Sequence, residues 1–147
     1  PRGAQRAIPE SIKPTFADFD VFGDENAEKA IITYGRTFSA CAFAYEKLVN
    51  SGESVKLIKL NRIIPVCEGA VEAAKNCKDV YFFEEGIRRG GAGEGFLFDL
   101  SKAGFSGKYH LRAIENGFVK QASVESLLHK YGFDEEGVLS FVTSAED

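Results

Sequence analysis

The sequence predicts a three-layer α/β/α sandwich of about five strands, mostly parallel, with one antiparallel edge strand. Three observations point to it. Short β-rich runs alternate with helical patterns from Ala30 to Val142, at a spacing that suits right-handed crossovers between parallel strands. One run, Val80-Tyr81-Phe82-Phe83, is continuously apolar, as a strand covered on both faces must be. That run ends in Glu84-Glu85 and passes through Arg88-Arg89 into Gly90, Gly91, Gly93 and Gly95, and an apolar helical pattern starts at Phe96. Strand, loop and glycine-rich helix start is the part of an open α/β sheet where sites are usually built.

Taken in order, residues 1–15 are polar and punctuated by Pro and Gly, and read as a linker or arm, with residues 16–147 as the folded domain. Residues 18–22 (DFDVF) and 30–34 (AIITY) are strand-like and separated by the turn residues Gly23-Asp24-Glu25-Asn26, so a hairpin is expected. Gly35 breaks the second strand and Thr37 is placed to cap a helix. In that helix Phe38, Cys41, Ala42, Tyr45, Leu48 and Val49 trace one face, and Gly52 stops it. Residues 55–60 (VKLIKL) form the next strand, ended by Pro65, which has no N–H for a ladder. Residues 66–77 form a short helix of small residues, followed by the apolar strand and the glycine-led helix to about Gly104. Residues 109–114 (YHLRAI) give a last strand. Two helices close the chain, one capped by Ser123 and stopped by Gly132, the other built on Val138, Leu139, Phe141 and Val142.

The bulk composition narrows the function. A chain of 147 residues suits one domain, able to bury roughly 68–70 % of its unfolded surface. A formal net charge of −4 argues against a nucleic-acid or membrane-surface partner. No apolar run approaches the ~18 residues of a membrane span. The three cysteines lack metal-type or C-x-x-C spacing, so free buried thiols in a reducing cytoplasm are expected. His110 and His129 are read as incidental. The sequence opens at Pro1 and contains no methionine, so it is read as a piece of a longer protein.

The glycines of residues 90–95 admit two physical readings. They could cradle a phosphate at a helix N-terminus, or let the first helical turn press closely on the sheet. The spacing is neither G-x-G-x-x-G nor a P-loop, and Glu84-Glu85 at the strand end would repel a phosphate, so close packing is the preferred reading. Glu84 and Glu85 are assigned a structural or interface role, facing a neighbouring domain or capping the strand end in water, and no catalytic one.

Three segments, in order, resemble the C-terminal domain of the 1-deoxy-D-xylulose-5-phosphate synthases, a branch of the transketolase-like thiamine-diphosphate enzymes. They are Pro1-Arg2-Gly3, then Glu84-Glu85 with Gly90-Gly91-Ala92-Gly93, and then a tail. The tail runs from Gly117-Phe118-Val119 through residues 123–128 (SVESLL) to residues 131–138 (YGFDEEGV). The family pattern has Pro-Asp where this chain has Glu115-Asn116-Gly117, and His-Gly where it has Gln121-Ala122.

The resemblance implies a transketolase C-terminal-domain-like fold and an accessory or assembly role in a thiamine-diphosphate-dependent transferase. The parent would join pyruvate and glyceraldehyde 3-phosphate into deoxyxylulose 5-phosphate with release of CO2, for isoprenoid precursor synthesis. Thiamine diphosphate and Mg2+ would sit in preceding domains of the same chain. The fragment alone would be inactive, and the parent a cytoplasmic homodimer. Arg2 matches the family arginine expected to grip the substrate phosphate in the intact parent, a task that suits a guanidinium fork. No catalytic, cofactor-binding or metal residue is assigned here. Two alternatives stay open: a stand-alone phosphate- or nucleotide-binding module, and the assembly domain of a catalytically dead paralogue.

Overall fold

The computed structural model describes residues 9, 12–84, 91–113 and 135–144. In chain order the elements are β1 (Phe19–Phe22), β2 (Lys29–Thr33), a 3-10 turn (Gly35–Thr37), α1 (Phe38–Asn50), β3 (Val55–Leu60), α2 (Glu68–Ala74), β4 (Asp79–Glu84), α3 (Ala92–Lys102), β5 (Lys108–Ala113) and α4 (Glu135–Ser144). The strands form one sheet in the order β1-β3-β2-β4-β5. Strands β3, β2, β4 and β5 run parallel, and β1 lies antiparallel on β3 at the edge. The expected architecture is therefore present. The helix expected from Ser123 lies outside the described residues.

The expected hairpin is absent. β1 and β2 do not pair; β3 comes between them. The reason lies in burial. β3 is buried at five of its six positions and needs a neighbour on each side, whereas β1 is half-exposed throughout and suits an edge. A β1–β2 hairpin would have put Leu57 and Ile58 at the sheet margin.

Alternation along the central strands divides the core between two faces. Ile31, Leu57, Tyr81 and Phe83 point to one face, where α1 and α4 bring Cys41, Tyr45, Leu48, Val138 and Val142, and Ile12 joins them. Ile32, Ile58, Val80 and Phe82 point to the other, against Ala70 and Ala74 of α2 and Phe96 and Leu100 of α3. The four residues of the apolar run are each at most 1 % exposed, as their composition requires. Each large side chain among them contributes about 1.5–3 kcal/mol by burial. Helix α1 follows the expected stripe except at Val49, which is exposed, while Ala44 is buried. Thr37 does not cap α1 with its side chain. It is the last residue of the 3-10 turn, in helical backbone conformation, and its hydroxyl reaches back to the Tyr34 carbonyl and to the Thr33 hydroxyl.

Candidate functional site

The connections to the two faces diverge at the carboxyl ends of β2 and β4. After β2 the chain leaves toward the α1 face; after β4 it leaves toward the α3 face. These neighbouring strands thus send their connections in opposite directions, which is the topological switch point of an open sheet. Four residues from four parts of the chain meet there. Tyr34 follows β2, Glu84 ends β4, Gly93 lies in the first turn of α3 and Tyr109 is on β5.

Glu84 is fully buried. Its Oε1 accepts the Gly93 main-chain N–H at 2.9 Å and the Tyr34 hydroxyl at 3.3 Å, while Oε2 has no hydrogen-bond partner among the described residues. Burial pushes the carboxyl above the usual glutamate value. The Gly93 and Ala92 N–H groups and the Tyr34 hydroxyl oppose that rise, and Glu94 adds to it. Tyr109 donates its hydroxyl to the Gly93 carbonyl at 2.6 Å, and its phenol is pushed up by burial and by the negative charge of Glu84. A methyl group on Gly93 would stand 2.5 Å from Leu111 Cδ1 and 3.1 Å from Phe82 Cδ1. One on Gly95 would meet nothing within 4 Å.

This geometry separates the two readings of the glycines. Gly93 is needed for close approach of helix to sheet, and Gly95 is not. The anion at the start of α3 is the chain's own carboxylate, which satisfies an N-terminal N–H and complements the helix dipole. Among the described residues, a diphosphate or nucleotide phosphate brought to Gly93 would meet the buried carboxylate of Glu84 already on its N–H. Glu84 is thus an internal helix cap, not a strand end in water. Glu85, Arg88, Arg89, Gly90, His129 and Arg2 lie outside the described residues.

Elsewhere His110 Nε2 lies 3.0 Å from Asp79 Oδ1, with its ring stacked on Tyr81 at 4.4 Å, a contact within the sheet face that α4 covers. All three cysteines are free and buried, and burial pushes the Cys41 thiol up to about 12. Among the described residues no group of His, Cys, Asp or Glu has the arrangement of a metal site, and no helix is long and apolar enough to cross a membrane.

Comparison with known proteins now adds the family. The family model described as "Transketolase, C-terminal domain" matches residues 23–138, most of the chain. The chain belongs to the transketolase C-terminal domain family. Among curated relatives of this domain, a 1-deoxy-D-xylulose-5-phosphate synthase of Bacteroides fragilis is 29 % identical over 116 residues, covering 78 % of this chain and 18 % of that protein. One of Bacillus mycoides is 30 % identical over 118 residues, covering 78 % and 19 %. A solved structure, "Split gene transketolase, inactive beta4 tetramer", superposes with a TM-score of 0.75 at 19 % identity, over 94 % of this chain and 46 % of that one. This transketolase C-terminal domain thus spans about a fifth of the length of those curated relatives. The family resemblance carried by the three sequence segments is the one these comparisons find.

Tyr34 and Tyr109 are the site residues that sequence reasoning missed. The only local signals were a tyrosine just before the strand-breaking Gly35 and one that alternates with Leu111 on β5.

Proposed function

We propose that this chain is the C-terminal assembly domain, residues 16–147 preceded by an arm at 1–15, of a thiamine-diphosphate-dependent transketolase-like transferase. The parent is read as a 1-deoxy-D-xylulose-5-phosphate synthase, cytoplasmic and homodimeric. One observation carries the accessory role: the α3 N-terminus, where an α/β module would hold phosphate, is filled by Glu84. Family membership and the named relatives support the parent assignment.

In this reading thiamine diphosphate and Mg2+ are held by the preceding domains, and the cofactor supplies the carbon–carbon chemistry when bound there. This chain's residues contribute a rigid wall and an interface. Arg2, carried over from the family pattern, grips the phosphate of glyceraldehyde 3-phosphate in the intact parent.

Calorimetric titration tests the accessory role. The chain is expected to give no binding heat with thiamine diphosphate plus Mg2+, nor with a set of nucleotides. Saturable heat from any nucleotide would reinstate the stand-alone binding module and sink the proposal. In the full-length parent, Arg2→Met is expected to raise KM for glyceraldehyde 3-phosphate about tenfold or more, as loss of a charged hydrogen bond requires. An unchanged KM would remove Arg2 from the substrate site.

A further inference from the structure

A cavity lies at the opposite end of the sheet from the switch point, and what it offers goes beyond the function proposed above. Its volume is about 460 Å³, and it opens between the β1–β2 connection, the start of β3 and the C-terminal half of α2. Lys56 lies in its wall. The second residue of β3, it points to the same face as Ile58 and is only 3 % exposed. Its ammonium donates to the main-chain carbonyls of Glu25 at 2.8 Å and of Ala73 at 2.7 Å. An ammonium has three donors, and these two bonds use two of them. Neither acceptor carries a formal charge, and no carboxylate forms an ion pair with Lys56 among the described residues. A buried ammonium usually has a paired anion, because carbonyl dipoles replace only part of its lost hydration.

We infer that this cavity binds a small monocarboxylate whose carboxyl group pairs with Lys56. The size and polarity of the lining agree. Gly23 and Gly69 leave backbone exposed to the cavity, Ala27 and Ala73 supply a short apolar wall, and Asn26 and Asn76 add amides able to donate to the second carboxyl oxygen. The charge selects a monoanion over a phosphate dianion. Lys56 offers one cation and one spare donor. Glu25 and Glu72 also line the cavity; both are exposed, and Glu72 is paired with Lys75 at 2.9 Å. Those two acids tolerate one compensated negative charge better than two. The β1–β2 connection is held in place by its own bonds, Asn26 N–H to Asp24 Oδ1 at 2.9 Å and Ala27 N–H to the Asp24 carbonyl at 3.0 Å, so the wall is formed before a ligand arrives.

The test is amide-resolved NMR on the 147-residue chain, titrated at constant ionic strength with sodium acetate, sodium propionate, inorganic phosphate or chloride. Acetate and propionate are expected to give saturable shifts at Gly23, Ala27, Asn76 and Cys77. Phosphate at pH 8 and chloride are expected to give none that saturate. Lys56→Met is expected to abolish saturation. Because that variant also removes a cap on α2, Asn76→Asp is made alongside. Its exposed side chain is compatible with folding, and a fixed carboxylate in the lining it shares with Lys56 is expected to weaken acetate at least tenfold. Phosphate saturating more tightly than acetate would overturn the monocarboxylate assignment. Linear shifts with every anion, or an Asn76→Asp variant that binds acetate unchanged, would overturn the site.

Discussion

Glu84 is held by opposing forces of different origin. Removal from water favours its neutral form, while the Gly93 N–H, the Tyr34 hydroxyl and the dipole of α3 favour the carboxylate. Burial wins, so the folded pKa lies above the ordinary glutamate value. The sign for stability follows by linkage. A carboxyl whose pKa is raised on folding contributes most when protonated, below the unfolded pKa, and that contribution is lost as pH rises through the folded pKa. Glu84→Gln keeps the shape and cannot ionise, so it lacks this loss. Urea unfolding of both proteins from pH 4 to pH 7.5 is expected to show the stability difference moving steadily in favour of the glutamine variant. A difference that stays flat, or moves the other way, would mean the helix dipole and donors outweigh burial.

Helix α3 shows how one element can carry two glycines for different reasons. Gly93 faces Leu111 and Phe82 at distances a Cβ cannot share, whereas Gly95 faces open space. Gly93→Ala is expected to cost about 1–3 kcal/mol as overpacking at the helix–sheet contact. Gly95→Ala is expected to stabilise by roughly 0.5–1 kcal/mol, because an exposed helical position gains from losing glycine's freedom. Thermal unfolding of the two variants in one buffer checks both signs. The same helix marks what could be read from the chain. Its start, its apolar stripe and the preceding buried strand were legible, because each follows from local period and composition. The strand order was not, since sequence neighbours suggest a hairpin, and only the two-sided burial of Leu57 and Ile58 forces β3 between β1 and β2. The site was half legible. Glu84 and the glycines stand out as a motif, but the glycines alone could not separate a phosphate cradle from a packing contact. Tyr34, Glu84 and Tyr109 are brought together by crossovers that no local pattern encodes.

Across the whole molecule, the three buried thiols report on the two layers separately. Cys41 belongs to the core under α1 and α4; Cys67 and Cys77 belong to the core under α2 and α3. With its thiol pushed up to about 12, Cys41 has almost no thiolate near neutral pH and reacts only when the fold opens. Burial also pushes the Cys77 thiol up, against the opposing charge of Lys56, and its Sγ donates to the Ala27 carbonyl at 3.4 Å beneath the β1–β2 connection. Cys67 differs. It precedes a helix of seven residues and borders an open groove beside Asp18, Arg62 and Pro65, so fraying of α2 exposes it without global unfolding. Both layers rest on alternate residues of the same central strands, so neither can separate without exposing the sheet to water, and one cooperative opening is the physical expectation. Timed alkylation in increasing urea, resolved by peptide mass, is therefore expected to show Cys67 reacting first. Cys41 and Cys77 should follow together at a rate that tracks loss of helical circular dichroism. Cys41 reacting well ahead of Cys77 would show that the α1–α4 layer lifts off on its own.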